Sequence, residues 1–164
     1  MLKNIPIALI AALAGFIQIE ARAQTSTFEI TFSNFAEGGT TAGSGLVSGS
    51  LISPGVYEIV SGSFTFTSSD GLNGGTYSLV PNPNPPNPSH SPAGDLLFDN
   101  LVSPAADPIV SNNGLLFGSG SVEINLYSNA GHTPEYQLFE NNGVSIGGDA
   151  TIVAAWIVYP RMQA

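Results

Sequence analysis

Hydrophobic and polar residues alternate along most of the chain, which is the pattern of half-buried β-strands. The clearest stretch is 121–128, where Val122, Ile124 and Leu126 share one face while Glu123 and Asn125 share the other. Beyond the N-terminal segment, no window has the 3.6-residue period of an amphipathic helix. The pattern therefore predicts short strands at 27–34, 46–53, 57–67, 76–80, 96–100, 121–128, 136–140 and 151–159.

The alternation changes phase within the third predicted strand. Tyr57 and Ile59 fall on one face of this strand, whereas Phe64 and Phe66 fall on the opposite face. Because side chains of a regular strand point strictly to alternate faces, a change of phase requires an extra residue. We therefore expect a β-bulge, or a crossing between sheets, near Ser61-Gly62.

Turn signals separate the predicted strands. Asn-Gly pairs occur at Asn73-Gly74, Asn113-Gly114 and Asn142-Gly143, and both residue types tolerate the positive φ of tight hairpin turns. Asn113-Gly114 lies between two apolar stretches and predicts a hairpin. Asn142-Gly143 predicts the turn between the last two groups of strands, and Gly147-Gly148 predicts a further loop.

Eight to ten short strands with turns between them predict an all-β fold. The last predicted strand, 151–159, is apolar on both faces, which favours a central position covered on both sides. The half-exposed strands elsewhere argue against a parallel sheet covered by helices. We therefore expect a single antiparallel β-sandwich domain over 24–164, with a jelly roll as one of its forms and the strand order left open.

A proline- and asparagine-rich segment, 81–94, interrupts the rhythm of strands. Proline has no N–H to donate to a sheet, and it holds the residue before it in an extended conformation. The segment thus predicts an extended loop of the polyproline type. We favour an overpass between sheets for this loop, and the alternative is a loop that binds a ligand or a partner.

The N-terminus has the pattern of an export signal. Lys3 precedes an almost purely apolar run over 5–19, and Ala21-Arg22-Ala23 follows as the small-x-small pattern of signal peptidase sites. The apolar run is shorter than the ~20 residues of a comfortable membrane span. We therefore expect 1–23 to be a cleaved signal helix, the mature chain to begin at Gln24, and no membrane span to remain after cleavage.

Charge and composition exclude several classes of function. The chain carries 3 basic and 12 acidic residues, a formal net charge of −9, which becomes −10 when Lys3, Arg22 and Glu20 leave with the signal. A basic surface for nucleic acid requires clustered cations, which this chain lacks. Because there is no cysteine, disulfides, thiolate zinc sites and a cysteine nucleophile are excluded.

The sequence contains no catalytic motif in a suitable context. Residues 143–147 read Gly-Val-Ser-Ile-Gly, but a nucleophile elbow also needs a helix after Ser145 and a histidine later in the chain. The two histidines, His90 and His132, lie in predicted loops, and nothing in their spacing demands a metal with Asp95 or Glu135. We therefore predict no catalytic residues and no cofactor.

The outer face of the 121–128 strand is the candidate ligand face. Tyr127 is the obvious aromatic platform, and Glu123 projects from the same face. Loop oxygens at Ser68–Gly74 and at Asp95 and Asp99-Asn100 leave calcium binding open, although no calcium-loop motif is present. A glycan hydrolase with paired carboxylates, drawn from Glu29, Glu58 and Glu123, is a further alternative.

Several phrases of the chain resemble a known family. Residues 91–102 (S-P-A-G-D-L-L-F-D-N-L-V), 113–117 (N-G-L-L-F) and 122–127 (V-E-I-N-L-Y) are similar to the passenger region of bacterial exported proteins with a PEP-CTERM sorting tail. The small-residue stretches 43–53 and 61–67 resemble the strands that open such proteins. The resemblance covers most of 25–140, and the tail itself, with Pro-Glu-Pro, an apolar helix and a basic end, is missing from the sequence.

This resemblance implies export across the inner membrane of a Gram-negative, exopolysaccharide-producing bacterium, retention at the surface or in the matrix, and no catalytic residues. We therefore expect a secreted or cell-surface protein with a structural or binding role and no enzymatic activity. Its expected partners are extracellular polysaccharide or other surface proteins. The alternatives are a secreted carbohydrate-binding module, with or without calcium, a glycan-active enzyme, and a fibre subunit that pairs by strand exchange.

Processing at the predicted site is directly measurable. We expect protein recovered from the periplasm, surface or medium of a Gram-negative host to begin at Gln24, because the peptidase cuts after the small-x-small pattern. Intact mass and N-terminal sequencing report the first residue. Full-length chain that accumulates in the cytosol contradicts the prediction.

Overall fold

The structure is a computed structural model that describes residues 25–34, 40–67 and 71–155. These residues form eleven β-strands, and none of them is helical. The strands are β1 Thr25–Asn34, β2 Thr40–Ser53, β3 Val56–Phe66, β4 Gly75–Leu79, β5 Ser89–His90, β6 Leu97–Phe98, β7 Leu101–Val102, β8 Leu115–Ser119, β9 Val122–Ser128, β10 Tyr136–Glu140 and β11 Ser145–Ala154. The all-β prediction is confirmed.

Eight of the strands close into an antiparallel barrel. The sheet runs in the order β2-β1-β11-β10-β9-β8-β4-β3, and β2 also pairs with β3, which joins the two ends. The predicted sandwich and jelly roll are therefore wrong. Inward and outward side chains alternate along strands in both architectures, so the hydrophobic pattern predicts the strands but does not distinguish a barrel from a sandwich.

The long strands β2 and β3 make the closure possible. Residues Gly43 to Ser53 of β2 pair with β3, and nearly the whole of β2 also pairs with β1 on its other side. The pairing of β2 with β3 shifts register where Ser48 faces Ser61 and Gly49 faces Ile59, so Val60 is an extra residue. This confirms the β-bulge predicted from the change of phase, which increases the local twist of the barrel wall.

Apolar side chains fill the barrel. An eight-strand barrel has an interior just wide enough for side chains to fill. The large side chains that are almost completely inaccessible to solvent in this main core include Phe32, Phe64, Phe66, Phe117, Ile30, Ile59, Leu115, Ile124, Leu126 and Leu138. The inward face predicted for 121–128 is confirmed, because Val122, Ile124 and Leu126 all contribute to this core.

Strand β11 differs from its prediction at two places. Gly147-Gly148 lies inside the strand and not in a loop. Glycine is required at both positions because neighbouring groups approach the backbone too closely for a side chain. A Cβ on Gly148 would lie 2.0 Å from the carbonyl oxygen of Ser33 and 2.6 Å from the ring of Phe32. Val153 is 55% exposed, so the described end of this strand is covered on one side only, and the remainder of 151–159 lies outside the described residues.

The connection between β4 and β8, residues 80–114, folds back over the outside of the barrel. It contains the β5–β6 hairpin and β7, which pairs with the start of β3. Leu96 and Phe98 of this connection pack on Leu116 of β8 in a second apolar cluster, with Val80 and Phe139 at its edge. The proline-rich loop is thus an overpass, as predicted. It joins two neighbouring strands of one barrel, however, and does not cross between two sheets.

The predicted hairpin at Asn113-Gly114 is wrong. The apolar stretch before it contributes only a single bridge, between Val110 and Val102, whereas β8 pairs with β4 and β9. Gly114 has φ of +79°, and a Cβ there would lie 2.3 Å from the carbonyl oxygen of Leu126. Glycine is required at this position by the close approach to β9. The apolar stretch before it does not pair with β8, so no hairpin forms.

Asp99 and Asn100 attach the connection to the barrel through buried hydrogen bonds. Asn100 is fully buried with φ of 57°, a conformation that asparagine tolerates. Its Nδ2 donates to the carbonyl oxygen of Val80 (2.8 Å), and its Oδ1 accepts from the N–H of Leu116 (3.0 Å). The backbone of Asn100 bonds in addition to Gly114 and Ile59, so one residue joins three segments: the end of β4, the start of β8 and β3.

Closure also bears on assembly. Each of the eight barrel strands has a neighbour on both sides over at least part of its length, which limits the free edge that strand exchange between subunits uses. In the described ranges, no helix is long and apolar enough to span a bilayer. The predicted signal and its cleavage residues Ala21, Ala23 and Gln24 lie outside the described residues.

Replacement of Asn100 by alanine tests its role in holding the connection. We expect a loss of about 2–6 kcal/mol in the free energy of unfolding, because Val80 and Leu116 each lose a hydrogen-bond partner at roughly 1–3 kcal/mol. Urea unfolding measures this loss. Asn84→Ala, at an exposed position of the same connection, is the control and should stay near wild type. Equal midpoints for Asn100→Ala and wild type contradict the role.

Candidate functional site

The candidate site lies on the outside of the barrel, because the interior is occupied by the main core. A depression of about 240 Å³ opens where the connection 80–114 crosses the outer face of β9 and β10. Strands β9 and β10 are paired there with Tyr127 opposite Gln137 and Asn125 opposite Phe139. The lining side chains are Asp95, Leu96, Leu97, Asn112, Asn125, Tyr127 and Phe139, and we call this depression the outer pocket.

The apolar part of the outer pocket comes from both layers. Tyr127 and Phe139 are half-buried on adjacent strands, and residues in such diagonal positions are about 7–8 Å apart, within reach of aromatic side chains. Leu97, 42% exposed, comes from the overlying connection. An exposed leucine beside two half-exposed aromatic rings is a surface on which a ligand's apolar face can pack.

Tyr127 is the predicted ligand-face residue that does line the pocket. Its hydroxyl donates to Gln137 Oε1 at 2.8 Å, and Ser145 Oγ approaches the same oxygen at 3.1 Å. Burial raises the pKa of Tyr127, so the phenol keeps its proton at neutral pH. The hydroxyl proton is thus committed to Gln137, while the ring faces the pocket.

Asn125 forms part of the floor and fixes the pocket's shape. Its Nδ2 donates to the carbonyl oxygens of Leu97 (3.0 Å) and Asn113 (2.7 Å), so one side chain joins both arms of the overlying connection to β9. Both amide hydrogens are therefore used. Since Asn125 is 5% exposed, the bonds are shielded from water, and the pocket is a preformed feature.

Glu123, the second predicted ligand-face residue, lies outside the pocket lining. It points outward from β9 as predicted, but the connection covers it, and it is 5% exposed. Its Oε1 accepts from the N–H of Ala93 at 3.0 Å, while Oε2 is buried with no hydrogen-bond partner in the described structure. The structure places Glu123 as a tie for the turn that precedes Asp95.

Glu140 is a second carboxylate removed from water. It is 1% exposed and accepts from the N–H of Asn73 (2.8 Å), from Asn73 Nδ2 and from Asn142 Nδ2 (2.8 Å). Burial and the charge of Glu140 raise the pKa of Tyr77, whose hydroxyl donates to the carbonyl oxygen of Asn73. Two of the three Asn-Gly pairs thus bind one carboxylate, which gives these asparagines a role beyond turn formation.

A third acidic group lies near the start of β10. Burial raises the pKa of Glu135, and the charges of Asp107 and Asp149 and a hydrogen bond to Asp107 raise it further. Tyr136 beside it donates its hydroxyl to no acid, but accepts from the N–H of Ile109 at 2.9 Å. The negative charges of Asp107 and Asp149 thus repel the ionised carboxylate of Glu135.

The remaining chemical candidates are dispersed. His90 and His132 are both exposed, the first as the end of β5 and the second in the turn before β10. Ser145 is the first residue of β11, so a strand and not a helix follows it. Glu29, Glu58 and Glu123 lie on β1, β3 and β9, three strands that do not pair with one another. Among the residues that the structure describes, no group of three or more His, Cys, Asp or Glu side chains is arranged to hold a metal ion.

Sequence reasoning missed most of the pocket lining. The alternation predicts that Asn125 and Tyr127 point outward from β9. Phe139 lies directly opposite Asn125 on β10 and so shares this outer face. The period-two pattern could therefore have placed Asn125 and Phe139 beside Tyr127. The sequence indicates Asp95 only as a candidate metal ligand. Asn112 and Leu97 reach the pocket through the fold-back of the connection, for which the local sequence carries no signal.

No family model, no curated protein and no solved structure matches this chain.

Glu135 gives a pH-dependent prediction. Its pKa in the folded state lies above the unfolded value near 4.5, so ionisation of Glu135 disfavours folding, and this cost disappears as pH falls through the folded pKa. We expect Glu135→Gln to be more stable than wild type at neutral pH, with a difference that shrinks toward zero at acidic pH.

Urea unfolding of both proteins across this pH range measures the difference. In an Asp107→Asn background the stabilisation by Glu135→Gln should be smaller, because one of the repelling charges is already gone. Equal stabilities of wild type and Glu135→Gln at neutral pH contradict the prediction.

Proposed function

We propose that this protein is an exported, non-catalytic β-barrel domain that binds saccharide units of extracellular polysaccharide in the outer pocket. The observation that carries the proposal is the combination of half-exposed Tyr127 and Phe139 with the polar side chains of Asp95 and Asn112 in one preformed depression. Sugar rings present an apolar face and a rim of hydroxyl groups. A site of this composition is complementary to both.

The size of the outer pocket supports a small ligand unit. Sites for drug-sized molecules enclose roughly 300–1,000 Å³, and the pocket of about 240 Å³ is smaller and open to solvent along its rim. One sugar residue of a longer chain fits such a depression, while the rest of the polymer extends over the surface. Binding of this kind requires no reacting group.

The proposed location has separate support. The predicted signal over 1–23, the acidic composition without cysteine and the resemblance to exported passenger regions all favour the cell surface or the matrix. There, a domain that holds polysaccharide has either a structural role or an adhesive one. The assay below measures the effect of calcium on binding.

Substitution at Tyr127 tests the proposal. We expect Tyr127→Ala to lower the affinity for a retained polysaccharide about threefold to tenfold, since an aromatic contact contributes about 0.5–1.5 kcal/mol. Tyr127→Phe keeps the ring and should keep most of the affinity. Affinity electrophoresis in a panel of bacterial, plant and chitin-derived polysaccharides, with and without calcium, provides the measurement.

Leu46→Ala serves as the matched control, because Leu46 is 55% exposed on β2 and does not line the pocket. Circular dichroism of each variant verifies that the barrel is folded. Retention on no glycan in the panel, under either calcium condition, would overturn the proposed function.

A further inference from the structure

The hydrogen-bonding groups of the outer pocket are mostly acceptors, and this restricts the ligand. Both hydrogens of Asn125 Nδ2 are taken by the carbonyl oxygens of Leu97 and Asn113. The hydroxyl proton of Tyr127 is taken by Gln137. These three donors are therefore used within the protein and are not free for a ligand.

The carboxylate of Asp95 is the main polar group still free in the pocket. Asp95 is exposed at the rim, and among the described residues no donor is hydrogen-bonded to it. An ionised carboxylate accepts hydrogen bonds and donates none. Asn112, also exposed, is the one lining side chain that still offers N–H donors.

The charge of the surrounding residues also favours a ligand that donates hydrogen bonds and carries a positive charge. Lys3, Arg22 and Arg161 all lie outside the described ranges, so the described part of the chain contains no lysine or arginine at all. Within the described residues, Asp95 consequently has no lysine or arginine with which to form an ion pair. A summed field of one sign attracts ligands of the opposite sign and repels those of the same sign.

We infer that the saccharide bound in the outer pocket carries a free amino group, so that its ammonium donates to Asp95 while the ring packs against Tyr127 and Phe139. This inference rests on the proposed function and narrows it to amino sugars that are not N-acetylated. An ammonium brings three donors and a positive charge, which matches the free acceptor. Uronic acids, with a carboxylate of their own, are disfavoured at the same place.

The experiment compares two ligands that differ only in that group. Isothermal titration at mildly acidic pH, where the amine is protonated, measures binding of a β-1,4-linked glucosamine tetramer and of its fully N-acetylated form. We expect the glucosamine tetramer to bind several-fold more tightly, and Asp95→Asn to weaken it about threefold to fivefold, as for an exposed ion pair. The affinity for the N-acetylated tetramer should not change in Asp95→Asn.

Glu29→Gln is the matched control, because it removes one exposed negative charge from β1, away from the pocket lining. It should leave both affinities unchanged. If Glu29→Gln weakens the glucosamine tetramer as much as Asp95→Asn does, general charge attraction explains binding and the inference is overturned. Equal affinity for the two tetramers, or binding of neutral glycans alone, overturns the inference and leaves the proposed function standing, whereas failure of every glycan overturns both.

Discussion

The buried pair Asp99 and Asn100 is the constraint on which the outer pocket depends. Asp99 Oδ1 accepts from the N–H of Leu101 (3.0 Å) and from Ser111 Oγ (2.5 Å), and its Oδ2 accepts from Asn113 Nδ2 (3.0 Å). Together with the hydrogen bonds from Asn100 to three segments, these bonds fix the path of the 35-residue connection between β4 and β8. Because the pocket forms between this connection and the barrel wall, its shape follows from buried polar contacts and not from the barrel alone.

Two buried residues, Asp99 of the connection and Glu140 at the end of β10, show how a chain nearly without basic residues buries carboxylates. A buried charge is stable only when it is paired or well hydrogen-bonded. Asp99 and Glu140 are both almost fully buried, and each receives three donors, mostly asparagine side chains and backbone N–H groups. Asparagine side chains thus supply to these carboxylates the hydrogen-bond donors that arginine or lysine supplies in other proteins.

The sequence predicts the strands better than it predicts their closure. Period-two alternation located the cleanest strand, β9, almost to the residue, and the change of phase in β3 located a bulge, because both are consequences of local backbone geometry. Barrel closure depends on the long pairing of β2 with β3, which is a non-local contact. The Gly147-Gly148 pair by itself predicts a loop, because only the packed neighbours Pro134 and Phe32 reveal why a strand needs glycine there. For the site, Tyr127 was within reach of sequence reasoning, whereas Asp95 and Asn112 arrive through tertiary fold-back.

The seam between β1 and β11 has a mechanical consequence. These two strands are antiparallel neighbours, with Phe28 opposite Ala154, and the N–H of Ala155 bonds to the carbonyl oxygen of Thr27. The start of β1 and the end of β11 therefore lie side by side at one end of the barrel. Tension applied through both ends peels this seam open one rung at a time and does not load its hydrogen bonds together in shear. A domain that is held by one end only carries no load across this seam, so β9 and β10 with the outer pocket remain undisturbed.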